Sequence, residues 1–172
     1  MFTRAKICAG VVFCVLAVAP FGGVAQAEPS GGSGCGNGDL TWAVDQPINM
    51  IPRQVTFTTA GVLRDCVGLD GIGGATVAGV HESVSSCLRP AEGPLTFTIY
   101  WSDGETSTVR GEWPVGIVQP TVGELDVIDG LGAGRRVRIV ADYNVLTPEM
   151  IGGCLGAGVL SGTGKVITVA FV

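Results

Sequence analysis

The chain has 172 residues, 28 of them glycine, with 15 Asp and Glu against 10 Lys and Arg for a formal charge of −5. That length suits one domain. The acidic balance, with Arg135, Arg136 and Arg138 as the only basic cluster, excludes nucleic acid or an anionic membrane surface as an expected partner. The glycines follow no strict period, which excludes collagen and solenoid repeats.

The first 27 residues read as a secretory signal peptide. Arg4 and Lys6 form the charged end, Ile7 to Pro20 is apolar, and Ala25-Gln26-Ala27 is a small-residue cleavage site. The mature chain is expected to begin at Glu28 and to carry no transmembrane segment, since no second apolar run of spanning length follows. Without Arg4 and Lys6 the basic residues fall to eight, so the mature charge is −7.

Residues 28–38, EPSGGSGCGNG, are Gly/Ser-rich and expected to be flexible except where Cys35 ties them down. The β-domain proper is expected over 39–172, starting with a short strand at Leu40–Val44. Asp45 to Pro52 reads as a loop. Gln54–Leu63 reads as a strand with Val55 and Phe57 inward and Thr56 and Thr58 outward. A Gly-rich connection, 65–74, leads to a strand at Ala75–Val84 that holds His81, the only histidine.

The clearest signal is Leu95 to Trp113, LTFTIYWSDGETSTVRGEW. Leu95, Phe97, Ile99 and Trp101 alternate with Thr96, Thr98, Tyr100 and Ser102, the period of a half-buried strand. Asp103-Gly104 marks a hairpin turn. A two-residue loop would throw Val109 and Trp113 onto the polar face. A three-residue loop, Ser102-Asp103-Gly104, sets Phe97 opposite Val109 and keeps the apolar residues together, with Gly104 in the left-handed position of a bulged type I turn.

The pattern Trp-Ser-Asp-Gly-x-Thr-Ser-Thr over Trp101–Thr108, after a Thr-rich strand and a Cys, resembles a group of small secreted actinobacterial proteins of uncharacterised function. The resemblance runs from Cys66 to the C-terminus. It implies a small all-β exported protein and carries no activity or site residue with it.

Beyond Pro114, residues 115–128 read as a strand region interrupted at Pro120. DGLGAG, 129–134, is a turn. Arg135–Asp142 is a strand with Val137, Ile139 and Ala141 inward and Arg136 and Arg138 outward. Residues 144–158 read as a loop with a helical turn near Pro148-Glu149-Met150. Lys165–Val172 is apolar on both faces, as a strand covered on both sides, or buried in a barrel or sandwich, would be. The expected fold is therefore all-β, a single antiparallel sandwich or barrel-like domain.

Two of the six Cys lie in the signal peptide, leaving Cys35, Cys66, Cys87 and Cys154 for two disulfides. If the strands run up and down in sequence, Cys35 and Cys66 fall at one end and Cys87 and Cys154 at the other. Parity then pairs Cys35 with Cys66 and Cys87 with Cys154, because a bridge needs Cα atoms within about 7 Å.

No motif supports catalysis. GVLSGTGK, 158–165, has the wrong glycine spacing for a phosphate loop and leads into a strand. No Gly-x-Ser-x-Gly singles out a nucleophile. A lone His81 on a strand is more economically a surface or packing residue than a general base. Asp126 and Asp129 beside a Gly turn meet only the minimum for a weak calcium site. Neither a cofactor, a metal nor an enzymatic activity is expected. The three Trp, Trp42, Trp101 and Trp113, could form a sugar-stacking platform, but hairpin parity places Trp101 and Trp113 in the core and leaves Tyr100 as the exposed aromatic. The expected role is a secreted, disulfide-stabilised domain that binds or supports something outside the cell, an extracellular protein or a cell-wall glycan. The alternatives are an inhibitor of extracellular hydrolases, acting through Asn144–Gly153 or Pro114–Val122, and a carbohydrate-binding module.

Overall fold

The computed structural model describes residues 32–172, so the signal peptide and cleavage site expected over residues 1–27 lie outside the described residues. Period-two alternation persists through eight strands: β1 (Gly34–Ile48), β2 (Arg53–Val67), β3 (Ala75–Ser85), β4 (Ala91–Trp101), β5 (Thr106–Val115), β6 (Thr121–Gly130), β7 (Arg136–Tyr143) and β8 (Val159–Phe171). One helix, α1 (Pro148–Leu155), lies between β7 and β8. Each strand pairs antiparallel with its neighbours in sequence, and β8 pairs with β1 to close a barrel. Of the two architectures compatible with the sequence pattern, closure selects the barrel and removes every sheet edge.

The inner face is apolar, with Val55, Leu63, Ile99, Val109, Leu125 and Val137 fully buried. The outer face carries threonines and charges such as Glu82, Arg110, Glu112, Glu124 and Arg138, all exposed. This is the inverse of the pattern that a lipid-facing barrel wall needs. On the outside, Asp39 of β1 holds Arg64 of β2 at 2.6 Å and also pairs with Lys165 of β8, an ion group lying across both seams of the first strand. Lys165 and then Arg64 hold the Asp39 carboxyl below the usual aspartate range.

The hairpin register is the one required by side-chain parity. Phe97 stands opposite Val109, and Trp101 N–H donates to the Glu105 carbonyl across the three-residue loop. Gly104 has φ 94°, a conformation that disfavours a Cβ. Trp101 is 3% exposed, and its indole N–H donates to Ser107 Oγ at 2.8 Å, which in turn donates to the Leu131 carbonyl at 2.6 Å. The polar edge of the ring is thereby satisfied inside the core. Phe171 packs against it, with ring centroids 5.9 Å apart, and the Arg135 guanidinium lies 5.1 Å above Phe171. These side chains close the first end of the barrel.

Four elements depart from the sequence reading. The 28–38 stretch is not wholly flexible: β1 starts at Gly34, not near Leu40, and Gly34 and Gly38 lie in the ladders with β2 and β8. A side chain on Gly34 would collide with the Val169 carbonyl, and one on Gly38 with the Val62 carbonyl. Glycine here permits close strand approach. Second, β8 begins at Val159 and is not covered on both sides. Ala141 pairs with Val166 and Val140 with Thr168, so Ile167 is an extra, bulged residue, 46% exposed. The bulge shifts the alternation by one position, which makes the segment read as apolar on both faces. Third, β6 starts only at Thr121, after a break at 116–120. Fourth, the 144–158 loop contains a full helix, capped by Thr147, whose Oγ1 accepts from Met150 N–H, and begun by Pro148.

The disulfides join Cys35 to Cys66 and Cys87 to Cys154, the pairs that strand parity selects. Cys35 and Cys66 are direct register partners of β1 and β2 at the first end. Cys87 and Cys154 lie at the second end. The second link closes the longer loop, 67 residues against 31. Two outcomes follow for denaturant melts. Trp101→Ala is expected to cost about 3–5 kcal/mol, since it opens a cavity and removes the donor to Ser107 Oγ. Removing Cys87–Cys154 by double alanine substitution is expected to cost about 4 kcal/mol, about 0.7 kcal/mol more than removing Cys35–Cys66 in the chain-entropy account.

Candidate functional site

An eight-stranded barrel is just wide enough to be filled by side chains or to hold one small ligand. Here the half nearest the first end is filled by Trp101, Phe171 and their neighbours. The other half keeps a partly enclosed pocket of about 90 Å³. Its wall runs from Val77, Leu63 and Val166 at mid-barrel to Pro90, Ile48 and Val145 near the second end. The lining is apolar and contains no Asp, Glu, Lys or Arg. Polarity enters through His81, Thr59, Tyr143 and the two indole N–H groups of Trp42 and Trp113.

Tyr143, at the end of β7, accepts a hydrogen bond from Trp113 Nε1 at 3.0 Å, while its backbone N–H donates to Gln119 Oε1 at 3.0 Å. Desolvation pushes the phenol up to about 12, opposed by the Trp113 bond. The Trp113 indole N–H is thereby satisfied by the Tyr143 hydroxyl oxygen.

His81 is different. It sits on the inner face of β3, 7% exposed, with its ring stacked flat on Phe57, the centroids 4.6 Å apart. Neither Nδ1 nor Nε2 has a hydrogen-bond partner of regular geometry. Desolvation lowers its pKa, and the backbone carbonyl of Ala91 offsets part of that. Paired register between β3 and β4 ends at His81 and Leu95. Beyond that point the register becomes irregular at Gly93, and Ser83 Oγ donates to the Glu92 carbonyl across the two strands.

The mouth at the second end has a strap across it. In a closed meander of eight strands, the β3–β4 connection stands opposite the β7–β8 connection. Cys87 belongs to the first and Cys154, in α1, to the second, so their disulfide ties the two connections together at this end, where Cys87 N–H also donates to the Asn49 carbonyl. None of the α1 residues is buried. The disulfide and Met150, whose methyl lies with the Trp42 ring over Gly162, hold the helix at the rim. Around the strap the connections are apolar: Ile51, Leu88, Val118, Leu146 and Leu155 are each at least 60% exposed. Arg89 and Glu149 are the only charged residues in 49–52, 86–90, 116–120 and 144–158. By contrast, the first end carries Asp70, Asp103, Glu105 and Arg135 in its connections.

Other residues singled out by sequence lie apart from this pocket. Trp101 and Trp113 point into the barrel, and Trp42 is half-buried in the pocket wall, so the three do not form an exposed sugar platform. Tyr100 stands alone on the outer wall at 48% exposure. Asp126 is flanked by its register partners Arg110 and Arg136 on the outer face, and among the described residues no three His, Cys, Asp or Glu side chains converge on a metal position. The Asn144–Gly153 stretch is not an extended inhibitory loop, because α1 and the strap occupy it. His81 was visible as a lone histidine on a strand. The pocket around it was not visible, because it arises from how eight inner faces fill.

The His81 environment makes stability depend on pH. Its folded pKa lies below the ordinary imidazole value of about 6.5, so the unfolded chain takes up the proton first. The contribution is fully present above about pH 6.5 and is lost as pH falls below it, by at most about 1.4 kcal/mol per unit. Urea melts at pH 7.5 and 5.5 are expected to show wild type losing more stability than His81→Phe, which cannot titrate. No protein-family model, curated protein or solved structure matches the chain, so any functional reading rests on the arrangement of these side chains.

Proposed function

We propose that the protein is a secreted binding domain that takes a slim apolar group into the lower half of its barrel. The observation that carries this reading is the uncharged pocket beside a rim of exposed aliphatic residues. An apolar ligand reaching that pocket crosses no charged collar, and its burial is favourable by about 25 cal/mol per Å². The volume, about 90 Å³, is below the roughly 150 Å³ of an engineered cavity that holds benzene. It suits the end of an alkyl chain, with the remainder lying along the rim. Two disulfides support residence in an oxidising compartment, in keeping with the leader over residues 1–27 and with the resemblance around Trp101–Thr108.

Bromoalkane quenching tests the reading, because Trp42 and Trp113 line the pocket while Trp101 lies at the closed end. 1-Bromohexane is expected to quench part of the tryptophan emission saturably, with one site per chain. Ala141→Leu, which fills the pocket, is expected to abolish the saturable part. Quenching that rises linearly and is unchanged by Ala141→Leu removes this reading.

A further inference from the structure

The two ends of the barrel differ in character. Four connections lie at the second end of the closed meander. Each exposes a large aliphatic side chain: Ile51 between β1 and β2, Leu88 between β3 and β4, Val118 between β5 and β6, and Leu146 and Leu155 between β7 and β8. The connections at the first end, 68–74, 102–105 and 131–135, expose none. At the second end the polar groups are satisfied among the connections themselves. The Asn49 side chain accepts from Ile51 N–H and its carbonyl from Cys87 N–H, while Gln119 donates to the Gly116 carbonyl and accepts from Tyr143 N–H. With the Cys87–Cys154 disulfide, these bonds tie the connections to one another, and the aliphatic tips stand outward on a fixed base.

Charge decides what such an end can meet. Arg89 is paired with Glu92, and Glu149 lies in the first turn of α1, where the helix N-terminus favours a carboxylate. The end is therefore close to neutral, on a chain of net charge −5. An anionic surface repels such a body, and a neutral one does not. The arrangement of the apolar side chains matters as well. They stand on separate tips around α1 and its disulfide, so a protein partner, a second copy included, would need a matching hollow for each. A fluid lipid layer admits separate tips without such complementarity, and the apolar area they bury favours binding.

We infer that the second end is a docking surface for an electrically neutral lipid layer, with the aliphatic tips of the four connections inserted and the charged walls left in water. The pocket's half of the barrel then faces the lipid. This goes beyond the pocket reading and does not depend on it, because the tips insert whether the pocket is filled or empty.

Vesicle co-sedimentation tests the inference, using protein collected after export and two compositions, phosphatidylcholine alone and an equimolar mixture with phosphatidylglycerol. The protein is expected to sediment with phosphatidylcholine and less with the mixture. Leu88→Asp, Val118→Asp and Leu155→Asp are each expected to weaken partitioning about tenfold, the effect of withdrawing one buried aliphatic side chain. Val80→Asp places the same charge at a comparably exposed aliphatic position on the outer wall of β3, and is expected to leave partitioning unchanged. All four positions are exposed and outside the pocket lining, so fold and bromohexane quenching are expected to match wild type. Ala141→Leu, which fills the pocket, is expected to sediment as wild type does, so failure of the pocket reading and failure of this inference are seen separately. Absence of sedimentation with phosphatidylcholine, or rim variants that sediment like Val80→Asp, overturns the docking surface. Tighter binding to the mixture overturns the choice of a neutral layer. A dimer in sedimentation equilibrium that Leu155→Asp dissociates assigns the rim to a second copy and overturns the lipid partner.

Discussion

The ladder between β1 and β8 is the constraint on which the rest of the molecule depends. A meander of eight amphipathic strands has one apolar face and two open edges, and only closure buries the first and removes the second. Closure requires the two seam strands to approach at the separation set by backbone hydrogen bonds. Gly34 makes that approach possible, because a Cβ there would strike the Val169 carbonyl of β8, while Gly38 allows the same closeness to the Val62 carbonyl of β2. The Asp39 group with Arg64 and Lys165 lies over the same region from outside. Exposed ion pairs of this kind contribute little to stability, so their effect is on register more than on free energy.

Filling the cylinder is uneven, and the unevenness produces the site. Toward the first end, Trp101 and Phe171 occupy the full width, and a side chain hydrogen-bond relay through Ser107 satisfies the indole. Toward the second end the inner residues are smaller or recessed: Thr59, Gly79, Ala91, Ala141. The space they leave is apolar, and the ligand-sized void and the unpaired imidazole occur at the same level. A histidine buried flat against Phe57 without a hydrogen bond of regular geometry weakens the folded state.

The side-chain parity of Leu95–Trp113 was sufficient to read the hairpin, its loop length and the burial of both Trp rings, because a slip of one residue reverses every side chain. The same reasoning, extended to strand direction, paired the four Cys. What escaped it was set by contacts distant in sequence. Nothing near Gly34 announces that Val169 will lie against it, so the residues read as flexible. The Ile167 bulge appears only when β7 and β8 are aligned, and without it Val166 to Phe171 reads as buried on both sides. The pocket is further removed still, since it depends on the summed volumes of residues from every strand. Only His81 signalled it, and a lone histidine is ordinary on a packed strand.

The position of the seam governs how the chain reaches its fold. Seven of the eight strand pairings join neighbours in sequence and can form as hairpins. The eighth sets Gly34 beside Ala170, and Cys35 beside Val169. Such a pairing carries a loop-closure entropy that no local hairpin bears, and it cannot begin until the last strand is present. A chain that folds as it is made therefore holds β1 with one side unpaired until the last strand arrives. During that interval Cys66 is the partner within reach for Cys35, being on the neighbouring strand, and the first staple fixes β1 against β2 before β8 completes the cylinder.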